Sequence, residues 1–452
     1  MKPGYYIAIF GGAVAGSEAA SELNANGIRT VVFDQNALPY GKLESGLPKW
    51  HYKLRDRQEE KIDEKLAHSL SRFVPNVKLG EDVDFKDIYD HWGFTAILLA
   101  TGAWRDRPLP VAGIDSYINK GLYYMNALVN WFNHNHDPDS GLADMDIADG
   151  AIIIGGGLAS LDVAKIVLIE SVRNALKERG IIENALTIEH QGVVKILEDH
   201  GLSLEKLGLK GCRLFTRHSI TGMPLTSIPE DAPAEEVEKA MASREKILAK
   251  VQEKFPFEII PNMAPVDKII RDGRLTGIVF EKTQEKDGKF TNIPGSRTEV
   301  ETPLVISAIG SIPEHIPGIP MKGEIYDVEN IATGKIRGLK NVFALGNAVT
   351  GRGNIRQSQM HSRQVSESIV DQYLAWKEED YKEIFDSAEN RVAARIGSIL
   401  EALRQETMLS AEQIGKIETA ITDMQKPVKY DGQYQAWIKT HLPPRLENQT
   451  DH

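Results

Sequence analysis

Two short glycine-rich turns, Gly11-Gly12-Ala13-Val14-Ala15-Gly16 and Gly155-Gly156-Gly157-Leu158-Ala159-Ser160, each join an apolar strand-like run to an apolar helical run. Tyr5 to Phe10 leads into the first turn and Ala151 to Ile154 into the second. At such a turn the backbone can approach a pyrophosphate, and the helix N-terminus behind it offers unpaired N–H groups and a positive dipole end. One turn predicts one dinucleotide; two predict a chain that holds two. The candidate contacts are Gly11, Gly12, Ala13, Ala15 and Gly16 at the first site, and Gly155, Gly157, Leu158 and Ala159 at the second.

The first turn belongs to a βαβ unit: strand Tyr6 to Phe10, a helix from about Ser17 to Asn26, and strand Thr30 to Phe33. Asp34 sits at the tip of that second strand, where a carboxylate accepts hydrogen bonds from a ribose diol and repels a 2′-phosphate. The first site therefore reads as one for FAD or NAD; a loop-capping role is the alternative for Asp34. In the second unit the strand Cys212 to Thr216 is followed by Arg217-His218. A guanidinium where an NAD site would be acidic suits a 2′-phosphate, so NADP is favoured there, against the alternative of a solvated arginine at a strand end.

Strand Ala96 to Ala100 ends in Thr101-Gly102, and Leu304 to Ile309 ends in Gly310. These read as two crossings between domains, with the second glycine unit inserted between them. Strand Asn341 to Leu345, Gly346-Asn347 and the loop Gly351 to Ile355 would return the chain to the first site. From about Tyr373 the chain turns to charged helix, with Val392, Ile396, Ile399, Leu400 and Leu403 at helical spacing and a capping box at Ser410 to Gln413. The tail from Tyr430 to His452 reads as irregular. The expected fold is α/β: two Rossmann-like dinucleotide-binding domains, the NADP domain inserted in the FAD domain, plus a helical C-terminal extension. The boundaries are 1–105, 106–310, 311–370 and 371–452.

Composition narrows the function. The 452 residues hold one cysteine, Cys212, which excludes a redox-active cysteine pair and a cysteine-ligated cluster and fits a reducing, cytoplasmic setting. No apolar run approaches the roughly 18 residues of a membrane span, and no metal site is expected. A net charge of −11 argues against nucleic acid as a general partner.

These landmarks together resemble the FAD-dependent NADP reductases of the adrenodoxin reductase type, with kinship to the glutamate synthase small subunit. The resemblance spans about residues 1 to 370. It rests on the two turns, Pro39-Tyr40-Gly41, Ser45-Gly46-Leu47-Pro48, Ala100-Thr101-Gly102, Asp162-Val163-Ala164-Lys165 and Ala308-Ile309-Gly310. It implies FAD and NADP as cofactors, hydride passage from NADPH to flavin N5, and onward delivery to a ferredoxin-like one-electron carrier. It adds Gly41, Thr101, Gly102, Gly346, Asn347, Gly353, Asn354 and Ile355 to the flavin site and Arg217 to the NADP site. It also places His51 beside the flavin as a catalytic candidate, where an exposed histidine is the alternative. Three positions depart from the pattern: Ala13 replaces the middle glycine, Asn347 an aspartate, and His218 the second arginine of a pair.

Two basic clusters, Lys49, Lys53, Arg55, Arg57, Lys61 and Lys65, and Arg352, Arg356 and Arg363, are candidates for attracting an acidic carrier. Solvated charges balanced by neighbouring acids are the alternative for the first. A quinone, small-molecule or partner-subunit acceptor, or a non-catalytic nucleotide-binding sensor docking through its C-terminal helices, compete with the carrier reading. Homo-oligomerisation stays open.

Overall fold

The computed structural model describes residues 2–225, 233–286, 289–330, 333–346, 348 and 378–448. Asn347, Gly353, Asn354 and Ile355, and the cluster Arg352, Arg356 and Arg363, lie outside the described residues.

Strands Ala96–Leu99, Tyr6–Phe10, Arg29–Phe33 and Ser71–Val74 run parallel, in that spatial order, through a seven-stranded sheet. Tyr6–Phe10 is apolar and buried along its whole length, the pattern of a strand covered on both faces. Val342–Ala344 pairs in parallel with Ala96–Leu99, and Lys335–Ile336 and Val328–Asn330 extend the sheet antiparallel. The first sheet is thus completed by residues that follow the second glycine turn.

The second sheet is parallel throughout, in the order Leu122–Tyr124, Val305–Ala308, Ile152–Gly155, Arg213–Phe215 and Glu258–Ile260. An antiparallel sheet built on Met263–Arg271, Arg274–Lys286 and Thr298–Glu301 packs Leu275, Ile278 and Phe280 against Ile152, Ile154 and Phe215. The two crossings between the sheets, Arg105–Asp106 and Ser311–Ile312, pair with each other antiparallel.

The C-terminal helices belong to the first sheet's core. Helix Glu378–Leu403 presents Val392, Ile396, Ile399 and Leu403 to Ile7, Ile9, Ala19, Ala20 and Leu23. Helix Ala411–Gln425 opens with the expected capping box and packs Ile414, Ile417 and Ile421 beside Tyr6, Ala8 and Phe10. Each such side chain contributes on the order of 1.5–3 kcal/mol when fully buried. The irregular tail expected from Tyr430 is corrected: Tyr434–His441 is a helix, tied down by Tyr434 Oη donating to Asp63 at 2.7 Å and Trp437 Nε1 to the Ala37 carbonyl at 2.7 Å. Those partners lie far away in sequence, so the tail's own composition carried no trace of them.

Candidate functional site

The first glycine turn is shaped by contacts that exclude side chains. Gly11 has φ +99°, and a Cβ there would lie 2.4 Å from the Ala100 carbonyl oxygen; one at Gly16 would lie 1.8 Å from the Gly11 carbonyl oxygen. Ala13, in place of the middle glycine, turns its methyl toward Gly41, where an added Cβ would come within 2.9 Å. Gly41 itself has φ +56°, so the methyl at 13 is accommodated by a glycine opposite. Likewise Ala15 faces Gly346, whose added Cβ would lie 3.0 Å from the Ala15 methyl. The helix behind the turn, Val14–Ala25, has neither a side-chain cap nor an acidic residue in its first turn. Its first N–H groups are therefore directed at whatever fills the space in front of them.

Asp34 is 4% exposed and tied to this turn. Its Oδ2 accepts from the Gly12 amide at 2.8 Å and its Oδ1 from the Asn36 amide at 2.9 Å. Burial pushes the carboxyl up to about 6, against the pull of those two amides.

The turn and Asp34 line one cavity of about 330 Å³. Gly41, Thr101 and Gly102 line it as expected, and so does Gly346; Ala100, Trp104 and Tyr326 complete that part of the wall. Thr101 Oγ1 lies 3.3 Å from Tyr326 Oη, which donates to the Glu314 carbonyl at 3.2 Å. Several lining groups escaped the sequence reading, Lys42, Arg391 and Arg395 among them. Lys42 sends its Nζ to Asn126 Oδ1 at 2.9 Å and Ser311 Oγ at 3.0 Å, and burial, opposed by Asp106, lowers its pKa to about 8. Arg391 and Arg395 reach the cavity from helix Glu378–Leu403. No local motif marks any of the three, because their cavity neighbours come from distant segments.

The second turn repeats the design. Added Cβ atoms at Gly155 and Gly156 would meet Ser160 Cβ at 2.6 Å and Thr216 Oγ1 at 2.7 Å. One at Gly157 would meet nothing within 4 Å, so the turn opens on free space there. Helix Leu158–Lys177 starts at that point with no side-chain cap and no acid in its first turn, leaving the Leu158 and Ala159 amides directed outward. Residues 216 to 218 border Gly156, whose added Cβ would lie 3.2 Å from His218 Cδ2. The Arg217 guanidinium is exposed and stands 4.9 Å from the centroid of the Phe290 ring. Both glycine cradles are therefore of the form a dinucleotide diphosphate requires, and both keep their helix N-termini open to it.

His51 neither is exposed nor lines the first cavity. Its Nε2 accepts from Trp50 Nε1 at 2.9 Å. Burial, and then the charge of Lys165, hold its pKa well below the ordinary histidine value. Lys165 Nζ itself lies 4.4 Å from the Trp50 ring centroid and 2.5 Å from Glu189.

Four residues of the first basic cluster are engaged within the fold. Lys49 is buried over the Phe132 ring, 4.1 Å from its centroid, and donates to Asn135 at 3.1 Å. Arg55 is buried against Asp56, Glu59 and Glu447. Lys61 pairs with Asp386 and Glu389, and Lys65 with Glu18 and Glu389. Most of these acids come from distant segments, so local charge counting could not reveal the neutralisation. Among the described residues no helix is long and apolar enough to cross a membrane.

Comparison with known proteins agrees with this architecture. Residues 5–200 match the family described as pyridine nucleotide-disulphide oxidoreductase. The chain is 27% identical over 364 residues to the mitochondrial NADPH:adrenodoxin oxidoreductase of Arabidopsis thaliana, covering 72% of this chain and 71% of that protein. It is 24% identical over 373 residues to the NADPH-ferredoxin reductase FprA of Mycobacterium tuberculosis, covering 76% and 78%. It is 25% identical over 386 residues to the glutamate synthase [NADPH] small chain of Bacillus subtilis, covering 82% and 68%. The solved structure of Mycobacterium tuberculosis FprA in complex with NADPH superposes with a TM-score of 0.63 at 18% identity, over 94% of this chain and 91% of that one. The expected two-dinucleotide α/β fold is borne out.

Proposed function

We propose that this chain, whose residues 5–200 carry a pyridine nucleotide-disulphide oxidoreductase domain, is an FAD-dependent NADPH oxidoreductase that delivers electrons to a ferredoxin-like one-electron carrier. The observation that carries this reading is the pairing of two uncapped glycine-turn helices, one behind a cavity that also holds a buried carboxylate, the other beside an arginine. The names of the Arabidopsis and Mycobacterium relatives supply the substrate and acceptor classes.

In this reading Gly11 to Gly16 bind the FAD diphosphate and Asp34 orients its adenosine ribose. FAD, when bound, supplies hydride acceptance at N5 from NADPH and one-electron release to the carrier. Gly155, Gly157, Leu158 and Ala159 bind the diphosphate of NADPH, and Arg217 its 2′-phosphate. Lys42 keeps its proton at Nζ near neutral pH and ties the first cavity to Ser311 of the crossing and to Asn126 beyond it. His51 stays neutral, with Nε2 accepting from Trp50. Cys212, the one cysteine of the sequence, is buried and its thiol is pushed up by burial, so electron delivery takes no route through a cysteine pair of this chain. A reducing compartment suits it; the cytoplasm is our reading, although the Arabidopsis relative is named as mitochondrial.

The test is anaerobic titration of the purified protein with NADPH and NADH in parallel, followed by cytochrome reduction with and without added ferredoxin. A yellow protein bleached preferentially by NADPH, with cytochrome reduced only when ferredoxin is present, is expected. A protein without flavin would overturn the reading, and cytochrome-independent turnover of a quinone would replace its acceptor.

A further inference from the structure

Helix Met125–His134 belongs to the half of the molecule built on the second sheet: its Leu128 and Phe132 share a buried core with Ile153 and Ile306. Both ends of the helix, however, are held by the first half. At the far end Asn133 Nδ2 donates to the Glu44 and Leu47 carbonyls, each at 2.8 Å, and the Asn135 side chain just beyond accepts from Lys49 at 3.1 Å. At the start Lys42 Nζ donates to Asn126 Oδ1 at 2.9 Å. The segment that receives the helix is also a wall of the first cavity, lined by Lys42, Leu43, Gly46 and Leu47.

The start of the helix is where the chain crosses between the halves. Lys42 Nζ also donates to Ser311 Oγ at 3.0 Å, and Asn126 Nδ2 donates to that same oxygen at 3.1 Å and to the Trp104 carbonyl at 3.0 Å. The Asn126 amide donates to Asp106 at 3.3 Å. Both crossing strands, Arg105–Asp106 and Ser311–Ile312, thus meet one polar cluster. The ribbon they form is two residue pairs long, and so short a ribbon has little rigidity of its own. Within the cluster Lys42 alone comes from the cavity wall of the first half. Burial lowers it to about 8 and raises Asp106 to about 6, so both are ionised at neutral pH and the carboxylate helps to hold the ammonium in the cluster.

We propose that Lys42 is a positioning residue: by tying the start of helix Met125–His134 and the Ser311 strand to the wall of the first cavity, it fixes the angle of the second half to the first. The tie stands on these contacts, and its consequence rests on the reading of the two glycine cradles as flavin and NADPH sites. Hydride passage needs the two rings in near contact, and a misplacement of about 1 Å can cost on the order of 100-fold in rate. Loss of Lys42 therefore falls on the reduction step rather than on the binding of NADPH.

The test uses the full-length protein as purified, with Lys42→Met, Asn126→Leu and the two combined. Spin labels at Ala25→Cys and Glu178→Cys, exposed positions at the ends of one helix in each half, report the distance between the halves, the native Cys212 being buried. One narrow distance is expected without the further substitutions. Either substitution should broaden it, and the combination should broaden it no more than one alone, since both remove the same tie. In stopped flow the reduction of bound flavin by NADPH should slow about 10- to 100-fold, while the Michaelis constant for NADPH stays nearly unchanged. If Lys42→Met does not fold, Asn126→Leu, which leaves the cavity wall intact, decides by the same two measurements. An unchanged distance in a folded variant, a loss confined to the Michaelis constant, or effects of the two substitutions that add, overturns the proposal while the two-cofactor reading stands. A protein that takes up no flavin overturns that reading instead, and the distance measurement alone then decides the tie.

Discussion

Both carboxylate oxygens of Asp34 hold an amide, yet each has a further lone pair to offer a ribose hydroxyl. A hydroxyl that donates there favours the ionised form, while burial has raised the carboxyl to about 6. Protons and flavin therefore compete, and flavin affinity should fall as pH drops below about 6, the folded-state value. Asp34→Asn should weaken FAD on the order of tenfold at neutral pH and remove the pH dependence, as read by fluorescence titration of flavin-free protein. A variant that titrates like the wild type would remove the ribose role. At the second site Arg217→Ala should raise the Michaelis constant for NADPH about tenfold or more and leave that for NADH nearly unchanged, the loss of a charge-assisted pair of bonds to phosphate. Equal effects on both cofactors would leave the 2′-phosphate unassigned. Glycines need care as probes. Gly11 has φ +99° and the Ala100 carbonyl at 2.4 Å from its added Cβ, so its substitution tests folding, whereas Gly157 opens on empty space and tests the ligand. The turns and Asp34 were legible because their chemistry depends on local spacing. Lys42, Arg391 and Arg395 were not, since each gains meaning only from neighbours that folding brings to it.

Among the elements, the C-terminal tail is the most dependent on distant partners. Arg445 reaches Glu44 at 2.5 Å and Glu59 at 3.1 Å, while Glu447 pairs with Arg55. Glu44 also takes a hydrogen bond from His134 at 3.1 Å, and His136 from the other side meets the Pro444 carbonyl at 3.2 Å. Burial raises Glu44, but His134 and Arg445 outweigh it and hold the carboxyl low; at Glu59 burial prevails over Arg445 and the carboxyl is raised. Arg445→Ala leaves these two buried carboxyls facing each other, which should cost on the order of 3 kcal/mol of stability at neutral pH. Without the cation Glu59 rises further and Glu44 loses one of the partners that hold it low, so the folded state binds more protons than in the wild type and the loss of stability grows as pH increases. The deficit in thermal melts should therefore be small near pH 4.5 and widen toward pH 7.5; a deficit independent of pH would show that lost packing, not charge, is responsible. Strands such as Tyr6–Phe10 and Val305–Ala308 were legible from apolar runs that end at glycine. The helix Tyr434–His441 was not, because Asp63 and Ala37, which anchor it, lie about 370 to 400 residues away.

For the whole molecule, the insertion of one sheet's segment within another was readable from the order of motifs, but the antiparallel sheet from Met263 to Glu301 was not, its polar edge strands offering little contrast with loops. The same order of motifs sets a timetable for synthesis. Strand Val342–Ala344 must pair with Ala96–Leu99, and helix Glu378–Leu403 must cover Ile7, Ile9 and Leu23. Until those residues leave the ribosome, the first sheet has an open edge and a bare apolar face. The second sheet needs only residues 122 to 308, all of them contiguous. Domains fold as units in the order in which their chains are completed. The half that begins second thus finishes first, and the antiparallel ribbon of Arg105–Asp106 with Ser311–Ile312 closes its base while the first sheet still waits for its last strands. A chain cut short after residue 330 would keep a folded second half beside an unfinished first half, which makes the far C-terminus, rather than the glycine turn at the start, the point at which the first cavity comes into existence.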